Sequence, residues 1–139
     1  MPARKLIESI PRSIRVLRKL TVSALDGSLT LHQTRVLYLI KEGLGQSQIA
    51  DSLQVSAAAV CKLMHQLSDK GFITMSPGKD RRERELILTK EGSRVLAAVN
   101  KQLEKKINKG LEALSDTEMK DLEKGLVVLD KLMSQIKEG

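Results

Sequence analysis

The sequence predicts a mainly helical chain carrying one small β-hairpin, in the order helix-helix-helix-helix-hairpin-helix-helix. Three observations lead there. Apolar residues recur at three-and-four spacing over most of the chain. The only β-favouring runs, Phe72-Ile73-Thr74-Met75 and Glu85-Leu86-Ile87-Leu88, flank the charged stretch Pro77 to Arg84. And among 139 residues only Tyr38 and Phe72 are aromatic, so the core must be built from Leu, Ile, Val, Met and Ala, a set rich in helix formers. Hydrophobic residues at 41% and charged residues at 29% are globular proportions and exclude a disordered chain.

The first helix is expected from Leu6 to Leu25, where Ile7, Ile10, Ile14, Leu17, Thr21 and Leu25 share one face. Pro11 predicts that it either starts there, with Ser9 as cap, or is kinked. Asp26-Gly27-Ser28 ends it. The second helix runs from about Leu31 to Lys41, with Val36, Leu37, Leu39 and Ile40 as its apolar side, and Gly43-Leu44-Gly45 breaks the chain after it. A short third helix is expected from Ser47 to Leu53. Gln54-Val55 then turns, and Ser56 is placed to cap a fourth helix that reaches Lys70. Gly71 stands where a left-handed terminating residue is wanted. After the hairpin, Thr89 caps a fifth helix carrying Leu96, Val99, Leu103, Ile107 and Leu111.

Ser115-Asp116-Thr117-Glu118 has the form of a capping box and starts the last helix. Its Met119, Leu122, Leu126, Leu129, Met133 and Ile136 form one stripe, widened by Val127, Val128 and Leu132. So apolar a helix at the end of a small chain cannot all face its own core, and a second copy is the simplest cover.

The segment Gln46 to Leu63 carries the functional signal. Counting Gln46 as the first position, a small residue, Ala50, falls fifth, and Leu53, Val55, Val60 and Leu63 fall eighth, tenth, fifteenth and eighteenth. A helix-turn-helix needs this pattern: the helices cross closely at the small residue, and the apolar positions seal their junction. Gln54 takes the ninth position, where glycine is common. The hairpin that follows makes the unit a winged helix-turn-helix, with Lys79, Arg81, Arg82 and Arg84 at the wing tip. Arginine suits a narrow minor groove, and Asp80 is placed to hold one of these arginines by a forked pair.

Charge agrees with an anionic polymer bound on one side. Residues 1–109 hold 20 Lys and Arg against 10 Asp and Glu, whereas residues 110–139 hold 4 against 7. The fourth helix should present Ser56, Ala57, Ala58, Cys61, Lys62 and His65 outward, opposite Val60, Leu63, Met64 and Leu67. Only Lys62 and His65 are long and polar in that set. The short side chains pack on thymine methyl groups but make no bidentate base contact, so DNA shape and the wing should supply much of any selectivity.

Other function classes find little support. Cys61 is the only cysteine, which excludes an intrachain disulfide, leaves a redox switch without an intrachain resolving thiol, and suits a reducing compartment. No uncharged stretch approaches the ~18 residues of a membrane span, and the N-terminal segment lacks an apolar signal core, so a cytoplasmic protein with no membrane partner is expected. His32 and His65 have no metal-ligand spacing, and no catalytic set, phosphate loop or zinc pattern stands out. Neither enzyme activity nor a cofactor is expected. A winged-helix protein-interaction module is disfavoured by three arginines within four wing residues. The plain recognition face does favour a weakly selective architectural DNA binder as an alternative.

Nearly the whole chain resembles the MarR (multiple antibiotic resistance regulator) family. The matching stretches are Leu29-Thr30-Leu31-His32-Gln33 with Val36-Leu37, Ile49-Ala50 with Leu53, Leu67 to Ile73, and Leu114 to Glu118. Most specific is Asp80-Arg81-Arg82 ahead of Leu88-Thr89-Lys90-Glu91-Gly92. The resemblance implies a transcriptional regulator that binds a pseudo-palindromic double-stranded operator as a homodimer. Residues 29–88 would be the winged helix-turn-helix region. Residues 1–28 and 89–139 would form the dimerisation region through Ile7, Ile10, Ile14, Leu122, Leu126, Leu129, Met133 and Ile136. It further implies control by a small ligand between the two lobes. With few aromatics for a phenolic pocket, an aliphatic or anionic molecule, a protein effector and no effector all stay open. Arg12, Arg15 and Arg18 are candidate anion contacts or solvated residues near the DNA backbone.

Overall fold

The computed structural model describes residues 1–78 and 84–136. Its elements are α1 (Pro2–Ala24), α2 (Leu31–Lys41), α3 (Gln46–Leu53), α4 (Ala57–Asp69), β1 (Ile73–Pro77), β2 (Arg84–Leu88), α5 (Lys90–Leu111) and α6 (Asp116–Gln135). The expected order is therefore present.

α1 starts earlier than expected and excludes one of the two readings of Pro11, the start there with Ser9 as cap. It begins at Pro2, a residue suited to the first helical turn because its missing N–H would be unpaired there anyway, and it continues through Pro11 instead of starting at it. Side chains donate to carbonyls in the turn before the proline: Arg12 Nε to Glu8 O at 3.2 Å and Ser13 Oγ to Ser9 O at 2.9 Å. Only Ala24 of this helix is buried.

Local caps fix the next elements. Thr30 Oγ1 accepts from Gln33 N at 3.1 Å while Gln33 Oε1 accepts from Thr30 N at 3.1 Å, which satisfies two of the donors an α-helix start leaves unpaired. Ser56 Oγ accepts from Ala59 N at 3.1 Å and starts α4 as expected. α4 ends in a Schellman motif: Gly71, at φ +78°, donates to Ser68 O, and Phe72 N donates to Leu67 O, both at 2.9 Å. That last bond keeps Phe72 out of the strand, so β1 starts at Ile73 and reaches Pro77, two residues beyond the predicted end. The strands pair antiparallel from Ile73↔Leu88 to Pro77↔Arg84.

The Leu88-Thr89-x-x-Gly92 motif closes the base of the hairpin. Thr89 N donates to Phe72 O at 3.0 Å and Thr89 Oγ1 to Gly71 O at 2.6 Å, and the same hydroxyl accepts from Gly92 N at 3.0 Å. A Cβ on residue 92 would lie 2.0 Å from Phe72 O, so glycine is what lets α5 start this close to the strand.

The chain divides into two compact units, Met1–Leu103 and Glu104–Gly139. The first holds the core: Val36, Leu37, Ile49, Val60, Met64 and Leu67 are buried, with Ile40, Phe72, Ile73, Leu96 and Val99 around them. In the second, Ser115 Oγ accepts from Glu118 N at 3.1 Å and Glu118 accepts from Ser115 N at 3.0 Å, the predicted capping box. α6 itself buries no residue.

Candidate nucleic-acid interface

The helix-turn-helix is built as its spacing requires. Ile49 and Val60 are buried, and Ala50, Leu53, Val55 and Leu63 pack against the core from either side of the turn. Gln54 sits at φ 55° in the left-handed region, at the position where glycine is common. The turn closes through Val55 N to Ala50 O at 3.1 Å.

This packing divides α4 in two. Val60, Met64 and Leu67 point into the core, and Leu63 is half-buried. On the other side Ser56, Ala57, Ala58, Lys62 and His65 are exposed and Cys61 is half-buried, so the six recognition candidates line one accessible face. Arg84 is exposed, but it is the first residue of β2 rather than part of the tip, and its guanidinium lies 3.8 Å from Met75 Sδ. Lys79, Asp80, Arg81 and Arg82 lie outside the described residues.

Electrostatically the face is open. Among the described residues the only ion pair is Glu91 with Arg94, whose hydrogen bond holds the Glu91 carboxyl below the usual glutamate range. Lys62 and Arg84 therefore form no ion pair with a carboxylate among the described residues. No helix among the described residues is long and apolar enough to cross a membrane.

The structure also shows a cleft that the sequence did not disclose. Ile14, Leu17, Arg18 and Thr21 of α1 and Leu31, Thr34, Arg35 and Tyr38 of α2 line about 220 Å³. Arg18, treated as an anion contact or a solvated residue, is one wall of it, and Arg35 was missed. The available signal was helical spacing, since Leu31, Arg35 and Tyr38 follow one another at steps of four and three. Arg12 lines a shallower groove with Ser9, Ser13, Val16 and Leu17.

Six of the eight predicted dimer residues are exposed. Ile7, Ile14, Leu122, Leu126, Met133 and Ile136 are exposed, with Ile7 at 74% and Leu126 at 51%, while Ile10 and Leu129 are half-buried.

Comparison with known proteins agrees with this geometry. Residues 29–83 match the model of the MarR family. Over 100 residues the chain is 30% identical to the uncharacterized HTH-type transcriptional regulator YwoH of Bacillus subtilis, a match that takes in 70% of this chain and 73% of that protein. The chain belongs to the MarR family. Among solved structures it resembles the transcriptional regulator Tm0710 from Thermotoga maritima, at 26% identity and a TM-score of 0.71 over 94% of this chain and 96% of that one. The regulator BldR from Sulfolobus solfataricus shares the fold at 22% identity and a TM-score of 0.74, over 97% and 96% of the two chains. This MarR-family chain is thus a winged-helix DNA-binding transcriptional regulator.

Proposed function

We propose that the protein acts in the cytoplasm as a homodimer on a pseudo-palindromic double-stranded operator and carries out no catalysis of its own. Residues 29–88 bind DNA, and residues 1–28 and 89–139 supply the contact between copies. Each α4 enters a major groove with Ser56, Ala57, Ala58, Cys61, Lys62 and His65 toward the bases. Each wing brings Lys79, Arg81, Arg82 and Arg84 to the adjacent minor groove, with Asp80 orienting Arg82.

The observation that carries this proposal is the division of α4. A helix of 13 residues is anchored by Val60, Met64 and Leu67, while its opposite face is largely exposed and carries Lys62 with no ion pair to a carboxylate among the described residues. The cleft between α1 and α2, with two guanidinium groups over apolar walls, suits an anionic amphiphilic effector.

Fluorescence anisotropy across a salt series tests the DNA contact. Log affinity should fall with log salt by roughly 0.9 for each phosphate neutralised, steeply for a dimer using both recognition helices and both wings. A slope near zero would remove DNA as the partner.

A further inference from the structure

Gln33 and Lys70, from the stretches Thr30 to Gln33 and Ser68 to Gly71, take no part in the contacts proposed above. The two stretches meet through a side-chain hydrogen bond spanning 37 positions, from Lys70 Nζ to Gln33 Oε1 at 3.1 Å. We propose that Lys70, Gln33 and Gln66 form a positioning joint that fixes the tilt of α4, and through it the selectivity of the recognition face.

Gln33 is the hub and is 5% exposed. Its Oε1 accepts from both Thr30 N, at 3.1 Å, and Lys70 Nζ, while its Nε2 donates to Gln66 Oε1 at 3.3 Å. Lys70 Nζ donates also to Ser28 O at 2.9 Å. Ser28 is held in turn, its N–H donating to Asp26 Oδ1 at 3.0 Å. Gln66 and Lys70 lie one turn apart at the C-terminal end of α4. That end is therefore bonded at two points to the start of α2 and to the loop that leaves α1. A buried amide is costly without partners, so the joint is stable only when all its members meet. The ammonium also stands beside the carbonyl end of α4, where the helix dipole favours a cation.

Tilt matters here because of what α4 presents. Ser56, Ala57, Ala58 and Cys61 are short and cannot reach to compensate for a displaced helix. A helix of this length is about 20 Å long, so a rotation of about 3° at one end moves the other by about 1 Å. A gap of about 0.5–1 Å already forfeits a quarter to a half of a van der Waals contact. Long arginines on the wing tolerate such a shift, and methyl-to-methyl contacts do not.

The joint rests on the proposed sequence-selective function, and the test keeps the two apart. The probes are a duplex enriched by the wild-type protein from a random pool and a scrambled duplex of equal length, compared at one salt concentration. Lys70→Met and Gln66→Met keep side-chain length and remove the polar ends. Each should weaken binding to the enriched duplex about tenfold, as expected for loss of a hydrogen bond to or beside a charged group. Scrambled-duplex affinity and the salt slope should stay at wild-type values, and Lys70→Arg should restore part of the selectivity.

Lys70 is itself exposed, so a direct phosphate contact is the competing role. Parallel weakening on both duplexes, with the slope of Lys70→Met reduced by about 0.9, would assign it that role and overturn the joint. Unchanged affinity for both duplexes with a lower melting temperature would reduce the joint to a structural tie and overturn it equally. Failure of the wild-type protein to enrich any sequence would instead overturn the proposed function, and the joint with it.

Discussion

α4 and α6 carry apolar stripes of similar spacing and meet opposite fates. α4 buries Val60, Met64 and Leu67 completely, because α2, α3 and the hairpin close over it. α6 is longer, at 20 residues, and buries none, leaving Leu122, Leu126, Val127, Val128, Leu132, Met133 and Ile136 exposed. Periodicity announces that a helix has something to cover, but not what covers it. In α4 the chain itself does, which leaves the opposite face exposed, as the proposed DNA contact needs. For α6 the proposed dimer supplies the cover, from a second copy.

The largest effect should come from spoiling the α6 stripe. Leu122→Asp with Leu126→Asp should leave a folded monomer of about 15.4 kDa in light scattering. Losing the second half-site contact should weaken operator binding by about 10²–10⁴-fold, the usual contribution of joining two binding modules. A double variant that remained dimeric would place the interface elsewhere.

The same kind of damage in α4 should have the opposite signature. Met64→Ala creates a cavity in a closed core and should cost about 2–5 kcal/mol of stability in denaturant unfolding. The fraction that stays folded should still dimerise. If Met64→Ala changed assembly as strongly as the α6 variant, the two helices would not be playing separate roles.

A smaller effect belongs to the wing. Arg82→Ala should cost on the order of 1–3 kcal/mol of operator binding, and Asp80→Ala should weaken binding although it removes a negative charge near DNA. Tighter binding by Asp80→Ala in a gel shift would refute the orienting role and leave the wing a diffuse basic patch.

Smallest is a pH effect at the start of α6. The backbone N–H of Ser115 holds the Glu118 carboxyl below its usual range. The bond therefore contributes fully above the usual glutamate pKa, and the contribution is lost as pH falls through the lowered folded value. The melting temperature of Glu118→Gln should depend less on acid pH than that of the wild type. Equal dependence would show that the cap carries no linkage.

How legible each feature was depends on sequence range. Ser56, Thr89 and Ser115 cap their helices through bonds to residues three positions on, so a hydroxyl followed by a helical pattern discloses them. The bounds of α2, the inward and outward faces of α4 and the hairpin were legible for the same local reason. Pro11 left two readings open, a start or a kink, because a proline inside a pattern can mark either; Pro2 supplies the start and α1 runs on through Pro11, which excludes the first. Gln33 was visible only as part of a motif. Its bonds to Gln66 and Lys70 span 33 and 37 positions, and no local pattern encodes them. For the cleft residue Arg35, local spacing discloses the face it shares with Leu31 and Tyr38 but not the cleft, whose other wall is α1.

The central claim is that two copies present their recognition helices together to one duplex. Half-site spacing tests it most directly. Two copies related by a twofold axis place their α4 helices one turn of DNA apart, about 34 Å, so the enriched operator should contain half-sites at that spacing. Inserting about five base pairs between them turns one half-site to the far side of the duplex. An anisotropy titration should then show affinity falling to that of scrambled DNA, with two chains per duplex on the original site. Undiminished affinity for the lengthened site, or one chain per duplex on the original, would contradict the account.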